Sequence, residues 1–256
     1  MNCEVVYKMM PEESELLKKQ AELAALETEL AQRELELATF NAELRSFRVR
    51  YLKVLGGLYS ELDDLHAQIA EATARFKPND HKARQQAAEA RAQAEGSARA
   101  AESAQEQSLP NGNFKPTENI KKLYREVAKR VHPDLASDEK ERIRNQQLMA
   151  DANRAYAEGD EFRLRAILHQ WESSPESVKG NSCGAQLVRI IRKIAKVTER
   201  IQGIAAEINE LKNSSVFQLK CKVEDAETHG LDLLAEMAAY LKQCIFRARC
   251  RLLNLG

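Results

Sequence analysis

The side chains most able to do chemistry are His132 and Asp134, which flank Pro133. An imidazole and a carboxylate at this spacing could form an acid–base pair or supply two metal ligands. The proline between them fixes a turn, however, and no third ligand, nucleophile or glycine-rich phosphate loop lies at useful spacing. The sequence therefore predicts that the chain is not an enzyme and has no catalytic residue, no metal site and no cofactor.

The turn follows a predicted helix with two very different faces. Its apolar residues recur at helical spacing and would be buried on one side, namely Ile120, Leu123, Tyr124, Val127, Ala128 and Val131. Five cations cover much of the remaining surface, namely Lys121, Lys122, Arg125, Lys129 and Arg130. A charged face of this kind is commonly just solvated surface. Here Pro133 stops the helix and moves His132 out of the helical backbone region, so the basic face leads into a rigid turn.

A basic amphipathic helix that ends directly on His-Pro-Asp resembles the J-domain of the DnaJ co-chaperone family. In that family a loop and an antiparallel helix containing Asn-x-Ala-Tyr follow, and Asn153, Ala155 and Tyr156 stand at about that distance here. The resemblance covers residues 117–156. It implies that the five cations, together with His132, Pro133 and Asp134, dock on a DnaK-type chaperone and stimulate its ATP hydrolysis.

The chain departs from that family at the first helix, which carries a Tyr-x-x-Leu-Gly pattern and should lie shortly before Thr117. Residues 108–116 instead have the composition of turns. A matching string occurs at 51–56, but leucine-rich heptads generate such strings freely, and we interpret it as coincidence. A later helix is predicted to cover the two-helix hairpin in place of the family's first helix. Its apolar stripe contains Leu164, Ile167, Leu168 and Trp171.

Composition and charge argue against several other classes of partner. Lysine plus arginine total 39, as do aspartate plus glutamate, so no global field favours nucleic acid or an anionic membrane. Nucleic-acid binding through the basic helix is a second possible function. Against it, Glu118 and Glu126 interrupt that face and no aromatic residues are interleaved on it. The five scattered cysteines predict buried thiols in a reducing compartment. Without a signal-peptide pattern or an apolar run of about eighteen residues, we expect a cytoplasmic protein.

Leucine periodicity dominates the amino-terminal part of the chain. Large apolar residues fall every seventh position, at Leu16, Leu23, Leu30, Leu37, Leu44, Tyr51, Leu58 and Leu65. Such a sustained heptad predicts a coiled-coil helix over residues 12–76, which we expect to continue through Gly56 and Gly57. An exposed seam of this length would aggregate, so we expect it to be covered by a homodimer or by the carboxy-terminal helices.

The remaining segments follow from helix signals and breaks. Residues 77–116 are predicted to form a solvated, alanine-rich spacer and linker, because they offer no large apolar side chains for burial. Residues 117–172 are predicted to form the J-like domain. Residues 173–185 predict a second linker, and residues 186–255 a helical hairpin or one long helix. Four residues are predicted to cap the start of a helix, namely Thr117, Asp138, Asp160 and Ser215, and Gly159 is predicted to end one.

Together these patterns predict an all-α, elongated coiled-coil protein that carries a small central J-like helical hairpin and forms a homodimer. The predicted function is that of a co-chaperone of a DnaK-type ATPase. The alternative is a coiled-coil scaffold or adaptor with a vestigial J-like region.

Overall fold

The computed structural model of the protein describes residues 11–77, 79–106, 115–136, 138–172 and 183–255. These residues contain eight α-helices and a short 3₁₀ turn, Pro133–Leu135, with no strand among them. The helices are α1 (Pro11–Phe76), α2 (His81–Glu106), α3 (Glu118–Val131), α4 (Glu139–Glu158), α5 (Glu161–Glu172), α6 (Cys183–Asn213), α7 (Ser215–Thr228) and α8 (Leu233–Leu253). The prediction of an all-α protein is confirmed. The turns predicted in 108–114 and most of the linker predicted in 173–185 lie outside the described residues.

The chain divides into two compact units, each built from separate stretches of sequence. The first unit contains the amino-terminal part of α1, up to Ala42, together with α3, α4, α5 and α6. The second contains the rest of α1 with α2, α7 and α8. Helix α1 passes through Gly56 and Gly57 without interruption, as the in-phase leucines predicted.

The core of the first unit forms where α3, α4 and α5 pack together. Its buried residues include Tyr124, Val127 and Val131 of α3, and its α4 and α5 members include Tyr156 and Leu164. The predicted stripe on α5 takes part in this core, with Trp171 packed against it. Helix α1 also contributes, because Ala31 and Leu35 are buried in the same cluster and Ala38 packs against it.

Local capping chemistry sets the ends of these helices, and four of the predicted signals are confirmed. Thr117 accepts a hydrogen bond from the Ile120 amide at the start of α3. Asp138 does the same for Glu141 at the start of α4. Gly159 ends α4 with φ 73°, a backbone conformation in which a Cβ would be strained, and Asp160 then accepts from the Arg163 amide to begin α5.

The leucine seam of α1 in the first unit is covered by α6. Leu30 and Leu37 are buried in one cluster with Val197 and Ile204 of α6, and partly buried leucines and isoleucines of both helices pack around them. Leu135, the residue after the His-Pro-Asp turn, packs against the same cluster. The apolar periodicity of α6 is therefore satisfied within this chain.

In the second unit, α7 and α8 cover the remaining seam of α1. Phe47 and Leu55 share a cluster with Val223, Leu234 and Leu241, and a further cluster joins α1 and α8 at Leu65, Ile69, Ile245 and Ala248. The stretch 186–255 thus holds three helices rather than the predicted two-helix hairpin or single helix. The predicted cap is wrong by one residue, because Ser214, not Ser215, accepts from the Phe217 amide at the start of α7. Cys221 and Cys250 are exposed, so the prediction of buried thiols is wrong for both.

Helix α2 corrects the prediction of a solvated spacer. Five of its alanines are buried, namely Ala83, Ala87, Ala94, Ala101 and Ala104. Arg91 binds Asp64 and Glu71 of α1, each at 2.8 Å, and Ala101 lies near Gly56, so α2 runs antiparallel to α1. Alanine methyl groups are sufficient to form a packing face where two helices approach closely. The prediction failed because it looked for large apolar residues, which α2 lacks.

None of the helices in the described part of the chain is long and apolar enough to cross a membrane.

Candidate partner-binding site

The His-Pro-Asp turn is held in one conformation by hydrogen bonds from its own backbone amides. His132 has extended dihedrals, φ −64° and ψ 130°, as expected for a residue that precedes proline. Its Nδ1 accepts from the Asp134 amide at 3.1 Å, and its carbonyl accepts from the Leu135 amide at 3.1 Å. The turn is therefore rigid, as the sequence predicted.

The imidazole of His132 points into the protein, which the sequence did not predict. Its residue is only 2% exposed, and its Nε2 lies 3.0 Å from Oε1 of Glu34 on α1. Because Nδ1 accepts a hydrogen bond from Asp134, the ring proton must be on Nε2, which donates to the Glu34 carboxylate. Asn145 of α4, also buried, donates to the His132 carbonyl at 3.5 Å.

Glu34 is itself bridged to α6 by Arg200. The Nε of Arg200 donates to Glu34 Oε1 at 2.8 Å, and its Nη1 donates to Glu207 at 2.5 Å. Burial of Glu34 favours the neutral acid, but hydrogen bonds from His132 and Arg200 and the Arg200 charge outweigh it and lower the pKa of the Glu34 carboxyl. Glu34, His132 and Arg200, which we call the latch, thus link α1, the turn and α6.

Asp134 and Pro133 are more accessible than His132. Both are partly buried, and the Asp134 side chain is 32% exposed, with Oδ2 3.8 Å from His132 Nδ1. Asp134 lines an open cleft of about 630 Å³, together with residues from the start of α4 and from α6. Of the three residues of the turn, Asp134 is therefore the best placed to meet a partner.

The five predicted cations of α3 differ in their surroundings. Lys121 pairs with Glu118 at 2.9 Å, and Arg130 pairs with Glu126 at 3.0 Å and lies 5.8 Å from the centre of the Trp171 ring. Arg125 donates to Gln32 of α1 at 3.2 Å. Lys122 and Lys129 are exposed. These last two side chains are the most available for contact with a partner.

An open groove runs between this basic face and α1. Its volume is about 900 Å³, and its α3 wall carries one acidic residue, Glu126, among the cations Lys122, Arg125, Lys129 and Arg130. The α1 wall carries both signs of charge, with Glu29 and Glu36 beside Arg33. Charged side chains of both signs therefore line the groove, and most of its cations are on the α3 wall.

The two motif segments that resemble J-domains contact each other. The Tyr124 hydroxyl donates to the side-chain oxygen of Asn153, and the rings of Tyr124 and Tyr156 lie 4.8 Å apart at an angle of 51°. Burial raises the pKa of Tyr124 well above its usual value, so its hydroxyl stays protonated and can donate. The Tyr156 hydroxyl lies 2.8 Å from Thr39 Oγ1 on α1.

Glu34 and Arg200 were not identified from the sequence, and only one weak pattern points to Glu34. Both lie far from the turn in the chain, with Glu34 98 residues before His132 and Arg200 166 residues after Glu34. The only hint was a second stripe on α1 of Ala31, Leu35, Ala38 and Ala42, beside which Glu34 falls. A stripe made mostly of small residues at helical spacing marks a face that can approach another helix closely, so a charge beside that stripe needs a partner.

Comparisons with known proteins returned no match to a family model, to a curated protein or to a solved structure. Among the described residues, no group of three or more His, Cys, Asp or Glu side chains could hold a metal ion.

Proposed function

We propose that this protein is a co-chaperone that docks on a DnaK-type chaperone through the basic face of α3 and the His-Pro-Asp turn, and stimulates its ATP hydrolysis. The observation that supports this most is the contact of Tyr124 with Asn153 and Tyr156. These residues come from the two separated segments that carry the resemblance. Their contact sets the turn at a defined place beside α4.

The accessible charges support the same proposal. Lys122 and Lys129 are exposed on α3, and Asp134 presents a carboxylate at the open cleft beside the turn. A partner with an acidic surface would meet the two lysines, since charge complementarity accelerates encounter and fixes orientation.

A second function is favoured by the burial of His132. A side chain that donates to Glu34 inside the protein already has a structural role. In a coiled-coil scaffold with a vestigial J-like region, the turn would serve only to fasten α1 and α6. The homodimer predicted for either function stays a prediction, and the seam that motivated it is covered within the chain.

The experiment that tests the proposal is single-turnover ATP hydrolysis by the DnaK-type chaperone of the same cell. Replacement of His132 would confound it, because losing the bond to Glu34 also destabilises the fold. Asp134→Asn is the sharper change, with Asp151→Asn on α4 as the control. Stimulation by the wild type and by Asp151→Asn, lost in Asp134→Asn, is the expected result. If the chaperone hydrolyses ATP at the same rate alone as with any of the three proteins, the result would favour the scaffold.

A further inference from the structure

Helix α6 lies beside the His-Pro-Asp turn, across the open cleft that Asp134 lines. Leu135 packs in the apolar cluster of Leu30, Leu37, Val197 and Ile204, and Arg200 of α6 binds the carboxylate to which His132 donates. The apolar contact of Leu135 and the polar contact of Arg200 therefore both hold α6 beside the turn. A partner that binds His132 directly has no access to its ring while these contacts persist.

The core around α3 does not depend on α6. The buried cluster that contains Tyr124, Val127 and Val131 draws its residues from α1, α3, α4 and α5. Helix α6 instead meets α1 through Val197 and Ile204, both fully buried. Displacement of α6 would remove Arg200 from Glu34 and expose the seam of α1 and Leu135, but would leave the packing of α1, α3, α4 and α5 in place.

The latch favours the covered state by electrostatics. Glu34 is 4% exposed and keeps its negative charge because Arg200 and His132 both donate to it. Without Arg200, a largely buried carboxylate would keep one donor and lose its compensating cation, which is costly in a desolvated site. The outer end of Arg200 bonds Glu207, whose side chain is about half exposed. Arg200 thus joins an exposed pair to the buried one.

We propose that α6 is an autoinhibitory cover, fastened by the Glu34–His132–Arg200 latch, whose displacement uncovers the His-Pro-Asp turn for a partner. This inference rests on the proposed function, which identifies the partner as a DnaK-type chaperone. When only a small fraction of molecules is uncovered, the apparent affinity for that partner falls by the same fraction. Weakening the latch therefore strengthens docking without any change in the docking residues.

The other histidines of the chain are an internal control for measuring how accessible the His132 ring is. It has five histidines, and His66, His81, His169 and His229 are exposed whereas His132 is buried. Acylation of imidazole by diethyl pyrocarbonate, followed by peptide mass spectrometry, should therefore modify His132 far more slowly than the other four. This readout requires no chaperone, so it tests the cover independently of the proposed function.

The decisive variant is Arg200→Ala. Glu207→Gln is the matched control, which removes only the charge of the outer pair, and Arg200→Lys is the conservative variant. We expect Arg200→Ala to raise the acylation rate of His132 about tenfold, the shift expected for losing one charge-assisted hydrogen bond. Its concentration for half-maximal stimulation of the chaperone ATPase should fall by a similar factor. Glu207→Gln should match the wild type, and Arg200→Lys should lie between. Far-UV circular dichroism establishes that each variant keeps its helices.

The outcomes separate the two proposals. Unchanged acylation of His132 in folded Arg200→Ala overturns the latch. Faster acylation with unchanged stimulation shows that wild-type docking is not inhibited and overturns the autoinhibitory cover while the proposed function stands. Faster acylation with no stimulation by any of the proteins overturns the proposed function and leaves α6 as a structural cover only. Should Arg200→Ala lose its helices, Arg200→Lys carries the same comparisons with smaller expected shifts.

Discussion

Gly56 of α1 and Ala101 of α2 approach so closely that a Cβ added at Gly56 would lie 3.3 Å from both Cα and Cβ of Ala101. This spacing is tighter than ordinary van der Waals contact, and Gly56 is buried. The glycine is therefore required by packing and not by backbone conformation, because α1 is regular there. The adjacent Gly57 is exposed and has no atom within 4 Å of an added Cβ.

These two glycines form a matched pair for mutation. Alanine is favoured over glycine in a helix by about 1 kcal/mol, so Gly57→Ala should raise the free energy of unfolding by about that amount. Gly56→Ala gains the same helix propensity but must push α2 away from α1, so its net effect should be clearly less favourable. Chemical denaturation of both variants measures the difference. Equal stabilisation by the two changes would show that α2 does not pack on α1.

Local signals could be predicted from the sequence because they depend on neighbouring residues. Thr117, Asp138 and Asp160 cap their helices through side-chain oxygens that reach amides three residues ahead, so no distant part of the chain is needed. The apolar face of α3 follows from helical spacing in the same way. Ser215 was mispredicted because two adjacent serines can each cap and the sequence does not rank them.

Pairings between distant helices could not be predicted in this way. Heptads on α1 and α6 indicate that each seam needs a cover, but many covers satisfy the same period, including a second copy of the chain. The alanine face of α2 was missed because methyl groups carry little signal in a search for large apolar residues. The latch was missed for a related reason, since Glu34 is an ordinary helix residue until Arg200 and His132 are brought to it.

The charge on Glu34 predicts a defined acid sensitivity. Its folded-state pKa is lowered from an ordinary value of 4.5, so its stabilisation is fully present above that pH and is lost as the pH falls through the folded-state value. We expect the free energy of unfolding to fall more steeply below pH 4.5 in the wild type than in Glu34→Gln. Glu139→Gln is the control, because Arg142 also lowers the pKa of Glu139 but that group is exposed. Superimposable pH profiles for wild type and Glu34→Gln would contradict this role.

The Thr39–Tyr156 hydrogen bond provides a test of whether α1 packs on α4. Thr39 donates its hydroxyl proton to the Leu35 carbonyl at 2.7 Å, so Tyr156 must be the donor to Thr39 Oγ1. In a double-mutant cycle of Thr39→Val and Tyr156→Phe, we expect a coupling energy of about 1 kcal/mol in urea unfolding. Thr28→Val, which replaces an exposed hydroxyl on the same helix, serves as control and should show no coupling with Tyr156→Phe. Additive effects for the Thr39 pair would rule out the contact.

The covered seam of α1 predicts how stability depends on protein concentration. Leu30 is buried against α6, so Leu30→Ala should lower the free energy of unfolding by about 3 kcal/mol. The exposed Leu17 provides the control, for which a much smaller loss is expected. Because the seam is covered within the chain, the Tm of the wild type should not change over a hundredfold range of concentration. A Tm that rises with concentration would instead support the homodimer predicted from the heptads.

The proposed docking on a DnaK-type chaperone should depend on the two exposed lysines of α3. Lys122 and Lys129 are the targets, since Lys121, Arg125 and Arg130 already bind Glu118, Gln32 and Glu126 within the chain. Reversing both to glutamate should slow association with the chaperone about tenfold at low salt, because cations on one face attract an acidic surface over about a Debye length. Stopped-flow measurements at several salt concentrations should show the rates of wild type and variant converging as salt increases.

The matched control for this reversal is Lys222→Glu with Lys242→Glu, which changes the net charge equally at exposed positions on α7 and α8. If docking uses the α3 face, the control should keep the wild-type association rate and salt dependence. An equal loss in both double variants would assign the effect to net charge alone, and α3 would have no particular part in docking. Tight DNA binding by the wild type that Lys122→Glu with Lys129→Glu abolishes, without any effect on the chaperone, would instead assign the basic face of α3 to nucleic acid.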